Sequence, residues 1–234
     1  MQRVSVLIEL IRERAQKLLE DGIVNRVIGW KKGEFFYDRT PAVFQASDDL
    51  SELIYDGFCS ANLSKYLIQE NKKDGKILAL LKPCDTYSFN QLIKEHQINR
   101  ENVYILGIGC PDMLDINKIR GKGIKGIQKI EENDDELIID TLYGQRKCRR
   151  EDVLLKCLSC KGREHVAYDE LVIGDLRNDL TIENEAMSDS ASGKNPYEMV
   201  EKIEAMTPDE RFAFWRSELS KCIRCNACRN VCPA

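Results

Sequence analysis

The strongest constraint on this chain lies at its end, in Cys222-Ile223-Arg224-Cys225-Asn226-Ala227-Cys228-Arg229-Asn230-Val231-Cys232-Pro233. Three cysteines spaced three apart, then a fourth after a longer gap and followed at once by proline, make the C-x2-C-x2-C-x3-C-P run that winds a chain around a cubane iron–sulfur cluster. Soft thiolates suit tetrahedral iron, and the close spacing lets one short loop deliver three of them. A zinc site is the competing reading, but zinc sites usually pair two C-x2-C units or add histidine, and His96 and His165 both lie far from the run. In two-cluster proteins the last cysteine of this spacing serves the other cluster. Cys222, Cys225 and Cys228 are therefore assigned to one cluster, while Cys232 is the ligand the spacing fixes least. Only two residues follow it, so the run reads as if cut inside a longer ferredoxin module.

The remaining cysteines depend on the compartment. Ten cysteines accompany only two histidines. The N-terminus lacks the short apolar core of an export signal, and charges interrupt the apolar runs well before membrane-spanning length, so a cytoplasmic location without a membrane span is expected. Thiols stay reduced there, and a chain so rich in cysteine binds metal or does redox chemistry rather than building disulfides. The net charge of −4 is spread over interspersed residues, which argues against nucleic acid or an anionic membrane as the main partner. A length of 234 residues accommodates one substantial core and a small appendage.

Along the chain, Val4, Leu7, Ile8, Ile11, Ala15, Leu18 and Leu19 form one helical stripe ending at Asp21-Gly22. Residues 23–44 alternate short apolar runs with Gly29, Gly33 and Pro41, as two or three strands around a turn at Lys31-Lys32-Gly33 would. These glycines make no G-x-G-x-x-G dinucleotide fingerprint. A short helical piece follows, then Cys59 at the entrance of an amphipathic helix carrying Leu63, Tyr66 and Leu67; Cys59 reads as a small buried hydrophobe. Lys76 to Leu81 is a continuous apolar run suited to a strand covered on both faces, and it ends at Lys82-Pro83-Cys84-Asp85, which opens a helix. The pattern recurs when Val103 to Gly109 runs into Cys110-Pro111-Asp112. Two cysteines just past the ends of successive buried strands sit where open α/β sheets build their sites.

Residues 124–130 and 136–142 read as a hairpin. Arg146, Lys147, Arg149 and Arg150 then surround Cys148, ahead of Cys157-Leu158-Ser159-Cys160. That C-x2-C is a familiar pair of metal-ligand positions, and basic neighbours are expected to favour its thiolates. A thioredoxin-type redox pair is the alternative, although Cys84 and Cys110 supply the two further ligands a metal site needs. Residues 168–175 suggest a short strand or turn, and 176–196, rich in Asp, Asn, Glu, Ser and Gly, a linker or mobile loop. Residues 197–206 are expected to form a helix. Thr207-Pro208-Asp209-Glu210 then caps a second one whose Phe212, Trp215 and Leu219 share a face expected to pack against the rest of the protein. The fold class that results is α/β: a mixed sheet with flanking helices over residues 1–175, a linker over 176–196, and a small ferredoxin-like iron–sulfur module over 197–234.

In order and spacing, Lys82-Pro83-Cys84-Asp85, Gly109-Cys110-Pro111, Leu155-Lys156-Cys157-Leu158-Ser159-Cys160 and the closing cysteine run resemble the coenzyme F-420 hydrogenase/dehydrogenase beta-subunit family. The resemblance covers residues 23–174 and the C-terminal segment. It implies an electron-transfer subunit with Cys84, Cys110, Cys157 and Cys160 as ligands of a central 4Fe-4S cluster, and Cys222, Cys225, Cys228 and Cys232 as ferredoxin-type 4Fe-4S ligands. FAD is a further implied cofactor, with no residue matched to it. The implied partners are other redox subunits of a heteromeric complex, such as a hydrogenase, formate dehydrogenase or heterodisulfide-reductase-like assembly, with ferredoxin, NAD(P) or deazaflavin-linked carriers as electron donors or acceptors. The chain departs from the family in carrying its cysteine run at the C-terminus, with only half of a two-cluster module.

Overall fold

The two apolar runs ahead of Cys84 and Cys110 become the centre of a parallel sheet. In the computed structural model of the chain, residues 3–45, 47–133, 136–158, 160, 164–172 and 197–232 are described. β3 (Ile77–Leu81) and β4 (Val103–Ile108) pair parallel, and β3 is buried along its whole length. This is the environment a strand without polar alternation requires, since helices cover both faces of a parallel sheet. β1 (Arg26–Lys32) flanks β3 in parallel, and β8 (Glu170–Val172) flanks β4 in the same sense. β2 (Arg39–Phe44) closes one edge antiparallel to β1, so the strand order is β2-β1-β3-β4-β8. Pro41, which cannot donate to a ladder, lies on that edge strand, where its missing N–H costs least.

The N-terminal stripe forms α1 (Arg3–Glu20), whose Leu7, Ile11, Ala15 and Leu18 are fully buried in one core with Val27, Leu78 and Ile105. Gly22 ends the helix in the left-handed region, the usual conformation past a helix C-terminus. α3 (Pro83–Lys94) contributes Phe89 and Leu92 to the same core. The amphipathic helix expected after Cys59 is shorter than its pattern suggests. It is a 3₁₀ turn over Leu63–Tyr66 running into a single α turn, α2 (Leu67–Glu70).

A second, smaller sheet stands apart from the first. β5 (Ile127–Asn133) and β6 (Glu136–Thr141) form the expected hairpin, and β7 (Gly144–Arg149) adds a third antiparallel strand. The sequence gives no sign of this third strand because Gly144-Gln145-Arg146-Lys147-Cys148-Arg149 has no apolar alternation; backbone pairing to β6 recruits it. Leu137 and Ile139 of this sheet pack with Ile119 of α4 (Ile116–Gly121), Leu114 and Phe58 in a separate core.

The chain divides into two compact units, within Met1–Thr181 and within Ile182–Cys232. The expected linker, 176–196, lies outside the described residues. The second unit contains α6 (Glu198–Glu204), α7 (Pro208–Ser220) and α8 (Ala227–Val231). Thr207 caps α7 as its sequence predicts, accepting the Glu210 N–H at 3.3 Å while Glu210 Oε2 accepts the Thr207 N–H at 2.9 Å. Phe212, Trp215 and Leu219 lie along α7 of this unit. Among the described residues no helix is long and apolar enough to cross a membrane.

Candidate metal centre

Cys84 is the second residue of α3, immediately past the end of β3, because Pro83 is pre-set for a first helical position. Cys110 lies just past the end of β4, in a loop rather than in a helix. Tyr55, fully buried, donates its hydroxyl to the Gly109 carbonyl at 2.7 Å and holds the backbone just before Cys110. Asp112 then takes a left-handed backbone, φ 62°, a conformation Asp tolerates better than most residues.

Pairing between segments far apart in the chain brings the C-x2-C run to this loop. Leu114 bridges Val153 antiparallel, Leu154 N–H donates to the Met113 carbonyl at 2.8 Å, and Asp115 N–H donates to that of Asp152 at 2.7 Å. α5 (Leu155–Leu158) begins directly after, carrying Cys157, and Lys156 Nζ donates to the Ser60 carbonyl at 2.9 Å. Met113 N–H points at Cys157 Sγ, 3.5 Å away, and the Asp112 N–H serves Cys110. Two consecutive amides thus face sulfurs from two different segments, the kind of backbone concavity that suits negative charge. Beyond Cys160, His165 Nε2 lies 3.1 Å from the Leu81 carbonyl, and Val166 N–H donates to Thr86 Oγ1 at 3.1 Å, laying the chain across the end of β3 and the first turn of α3. Gly107 makes room for it: a Cβ there would stand 2.8 Å from the His165 ring.

The four thiols are electrostatically linked in a ring. Cys84 feels Cys110 and Cys160, Cys110 feels Cys157, and Cys157 feels Cys160. Burial, then the charge of Asp85, pushes the Cys84 thiol up to about 12, partly offset by Lys82. Burial pushes Cys110 to about 12 as well, with Lys82 the leading opposing influence. Of the basic residues near Cys157, Lys156 favours its thiolate as expected, but the arginines ahead of it do not join in. Arg150 is committed to Glu132 and to the Asp112 carbonyl, while Arg146, Lys147 and Arg149 lie along β7. Burial raises the Cys157 thiol, outweighing the Met113 N–H and Lys156 that oppose it. Among the described residues no three Cys, His, Asp or Glu side chains are arranged to hold a single metal ion.

Sequence reasoning missed Lys82 and Asp85 as parts of this site, although a lysine and an aspartate three apart around Pro83-Cys84 are visible in the sequence. Lys82 and Asp85 are 1% and 2% exposed by side chain and pair at 2.9 Å. Burial works to lower the Lys82 pKa, but Asp85 and the thiols of Cys84 and Cys110 outweigh it and hold the ammonium above the ordinary lysine value. Cys59 and Cys148 have structural surroundings of their own. Cys59 is fully buried and its sulfur accepts the Asp56 N–H at 3.4 Å; Cys148 pairs opposite Leu137 against the second core.

In the second unit Cys222, Cys225, Cys228 and Cys232 are all exposed. Arg224 and Asn226 are both left-handed, φ 57° and 60°, which curls the loop, and Arg224 N–H donates to Cys222 Sγ at 3.4 Å. An N–H directed at a ligand sulfur and alternating backbone handedness are features that cysteine loops around anionic clusters use. The donor chemistry of both thiol sets, all soft sulfur with amides turned towards it, suits an iron–sulfur group.

These features define a class: an α/β protein that gathers thiols from three segments past the carboxyl ends of parallel strands and carries a further cysteine loop. No family model matches the sequence. The chain is similar to the F420-dependent formate dehydrogenase 1 subunit beta of Methanococcus maripaludis, 26% identical over 266 aligned positions covering 92% of this chain and 69% of that protein. It is similar also to the F420-dependent formate dehydrogenase subunit beta of Methanocaldococcus jannaschii, 24% identical over 267 positions with the same coverage, 92% and 69%. The likeness to F420-linked beta subunits read from the cysteine motifs therefore extends over nearly the whole chain. Among solved structures, the F420-reducing [NiFe] hydrogenase complex from Methanosarcina barkeri aligns with a TM-score of 0.48 and 11% identity, over 64% of this chain and 58% of that one. The alignment thus spans less than two thirds of the hydrogenase chain, and at this score the likeness is weak.

Proposed function

We propose that the chain is the iron–sulfur electron-transfer subunit of a cytoplasmic multisubunit redox complex of the hydrogenase, formate dehydrogenase or heterodisulfide-reductase-like kind. It would pass electrons between a two-electron carrier and clusters of its partner subunits. In this reading residues 1–175 hold one 4Fe-4S cluster through Cys84, Cys110, Cys157 and Cys160. Residues 176–196 connect this domain to 197–234, where Cys222, Cys225, Cys228 and Cys232 serve at least one more. The observation that carries the proposal is the ring of thiols: three separate segments converge, and loop amides turn towards sulfur rather than into the sheet. The beta-subunit names of the similar proteins support the assembly part of the reading.

When bound, such clusters store and relay single electrons, and a flavin converts hydride pairs into them. The chain's own part is to hold the thiols in place, to keep Cys84 and Cys110 half-buried, and to direct the Asp112 and Met113 amides at sulfur. FAD is the group the family resemblance adds; Gly29 and Gly33 form no dinucleotide fingerprint, so no side chain is assigned to it.

Anaerobic purification followed by iron, acid-labile sulfide, zinc and flavin analysis tests the proposal. A brown protein with broad visible absorption and matching iron and sulfide is expected. Zinc without sulfide would defeat it, whereas iron and sulfide without flavin would make the chain a wiring adaptor between redox enzymes.

A further inference from the structure

We propose that Lys82 is a fixed counter-charge at the main thiol site and sets how readily the group held there accepts an electron. The inference rests on the reading that Cys84, Cys110, Cys157 and Cys160 hold an iron–sulfur cluster.

Lys82 lies between the end of β3 and the start of α3, and its side chain is 1% exposed. An ammonium has three donors and no acceptor. One is directed at Asp85 Oδ2, 2.9 Å away, and a second at the Ala61 carbonyl, 3.0 Å away. The nitrogen also stands 4.3 Å from the centroid of the buried Trp30 ring, within cation–π range. With three sides engaged, the charge cannot swing towards solvent.

A buried ion pair is a poor device for stability, because the desolvation of both charges offsets their attraction. Position gives this one a different use. Lys82 is two residues from Cys84, and its charge reaches the thiols of both Cys84 and Cys110. Among the influences on Cys110 it is the foremost favourable one, while Asp85 acts unfavourably on Cys84. Reduction adds one electron, and so one negative charge, to the group these thiolates hold. Lys82 stays protonated and no proton is taken up. A fixed cation favours the more negative state and so raises the reduction potential; Asp85 works in the opposite sense and anchors the lysine.

The test is an EPR-monitored redox titration of the full chain carrying Cys225→Ser and Cys228→Ser, so that signals from the terminal run do not overlap. Dithionite supplies the electrons and is oxidised to sulfite. Lys82→Met is expected to lower the equilibrium constant for reduction about tenfold, or 59 mV for a one-electron couple. Lys82→Arg should keep most of the original value, and Asp85→Asn should shift it upwards. Lys82→Met combined with Asp85→Asn leaves no lone buried carboxylate, and covers the case in which the single variant does not fold; a smaller downward shift is expected, because removing both charges of the pair cancels part of the effect. Loaded variants with an unchanged potential would overturn the proposal. So would loss of the cluster from every Lys82 variant, Lys82→Arg included, because the lysine would then be a structural support. If the parent protein holds no iron or sulfide at this site, the cluster reading itself fails instead.

Discussion

The backbone N–H of Met113 points at the sulfur of Cys157, 44 residues further along the chain and 3.5 Å away. That contact joins the loop after a central parallel strand to the C-x2-C turn, and it depends on the left-handed backbone of Asp112 one residue earlier. Glycine adopts that conformation freely, whereas a β-branched residue strongly resists it. Asp112→Gly should therefore leave the metal-free protein near its original stability, and Asp112→Val should cost about 1–2 kcal/mol. Equilibrium denaturation of both variants checks this; equal losses would show that the aspartate side chain, not the backbone, organises the loop.

A second support lies just behind the same loop. Glu132 of the small sheet accepts the Gly57 N–H at 2.6 Å and pairs with Arg150 at 3.1 Å, while Arg150 Nη2 donates to the Asp112 carbonyl at 2.7 Å. Both side chains are largely buried, and burial raises the Glu132 pKa against the opposing charge of Arg150. Arg150→Met leaves that carboxylate without its cation and should destabilise the chain by about 3 kcal/mol. Adding Glu132→Gln should recover much of the loss, as a double-mutant cycle in denaturant would show.

The two thiol sets differ in access. Cys222, Cys225, Cys228 and Cys232 are exposed, Cys59 is fully buried, and the thiols of Cys84 and Cys110 are pushed up to about 12. Thiolate is the reactive form. In metal-free protein at pH 8, iodoacetamide should modify the terminal run first, and Cys84 and Cys110 more slowly by about tenfold or more. Peptide mass mapping over a time course reads the order, and equal rates would contradict the raised, half-buried thiols of the main site.

Those raised thiols also set a pH window for stability. Cys84 and Cys110 each start from an ordinary value near 9 and rise to about 12 in the folded, metal-free chain. A group that holds its proton more tightly when folded favours folding while protonated. Its contribution is whole below about pH 9 and is lost as the pH climbs towards 12. The denaturation midpoint of the metal-free protein should fall across that interval, and a Cys84→Ala, Cys110→Ala variant should fall less steeply. Identical slopes would show that other groups account for the loss.

The parts most legible in the sequence carry their own local signals. The unbroken apolar stretches of β3 and β4, the stripe of α1 and the Thr207 cap of α7 each declare their structure within a few residues. β7 declares nothing, because a strand of arginine, lysine and glutamine is held by ladder bonds to β6 rather than by a buried face. The helix after Cys59 fails for the opposite reason: its apolar spacing is right, but the chain tightens into a 3₁₀ turn. The basic cluster before Cys157 misleads through its nearness in sequence, since Arg150 is drawn to Glu132 instead.

By itself the sequence determined which atoms are available: six cysteines in spacings that thiolate chemistry recognises, and two more just past the ends of buried strands. Spacing is a local property and survives without coordinates. Only the tertiary structure decided that Cys84, Cys110, Cys157 and Cys160 feel one another's charge, that amides of a left-handed turn face two of them, and that a lysine beside Cys84 is immobilised against Asp85. Those are relations between segments far apart in the chain, created when burial of the sheet and the bridge from Leu114 to Val153 bring them together.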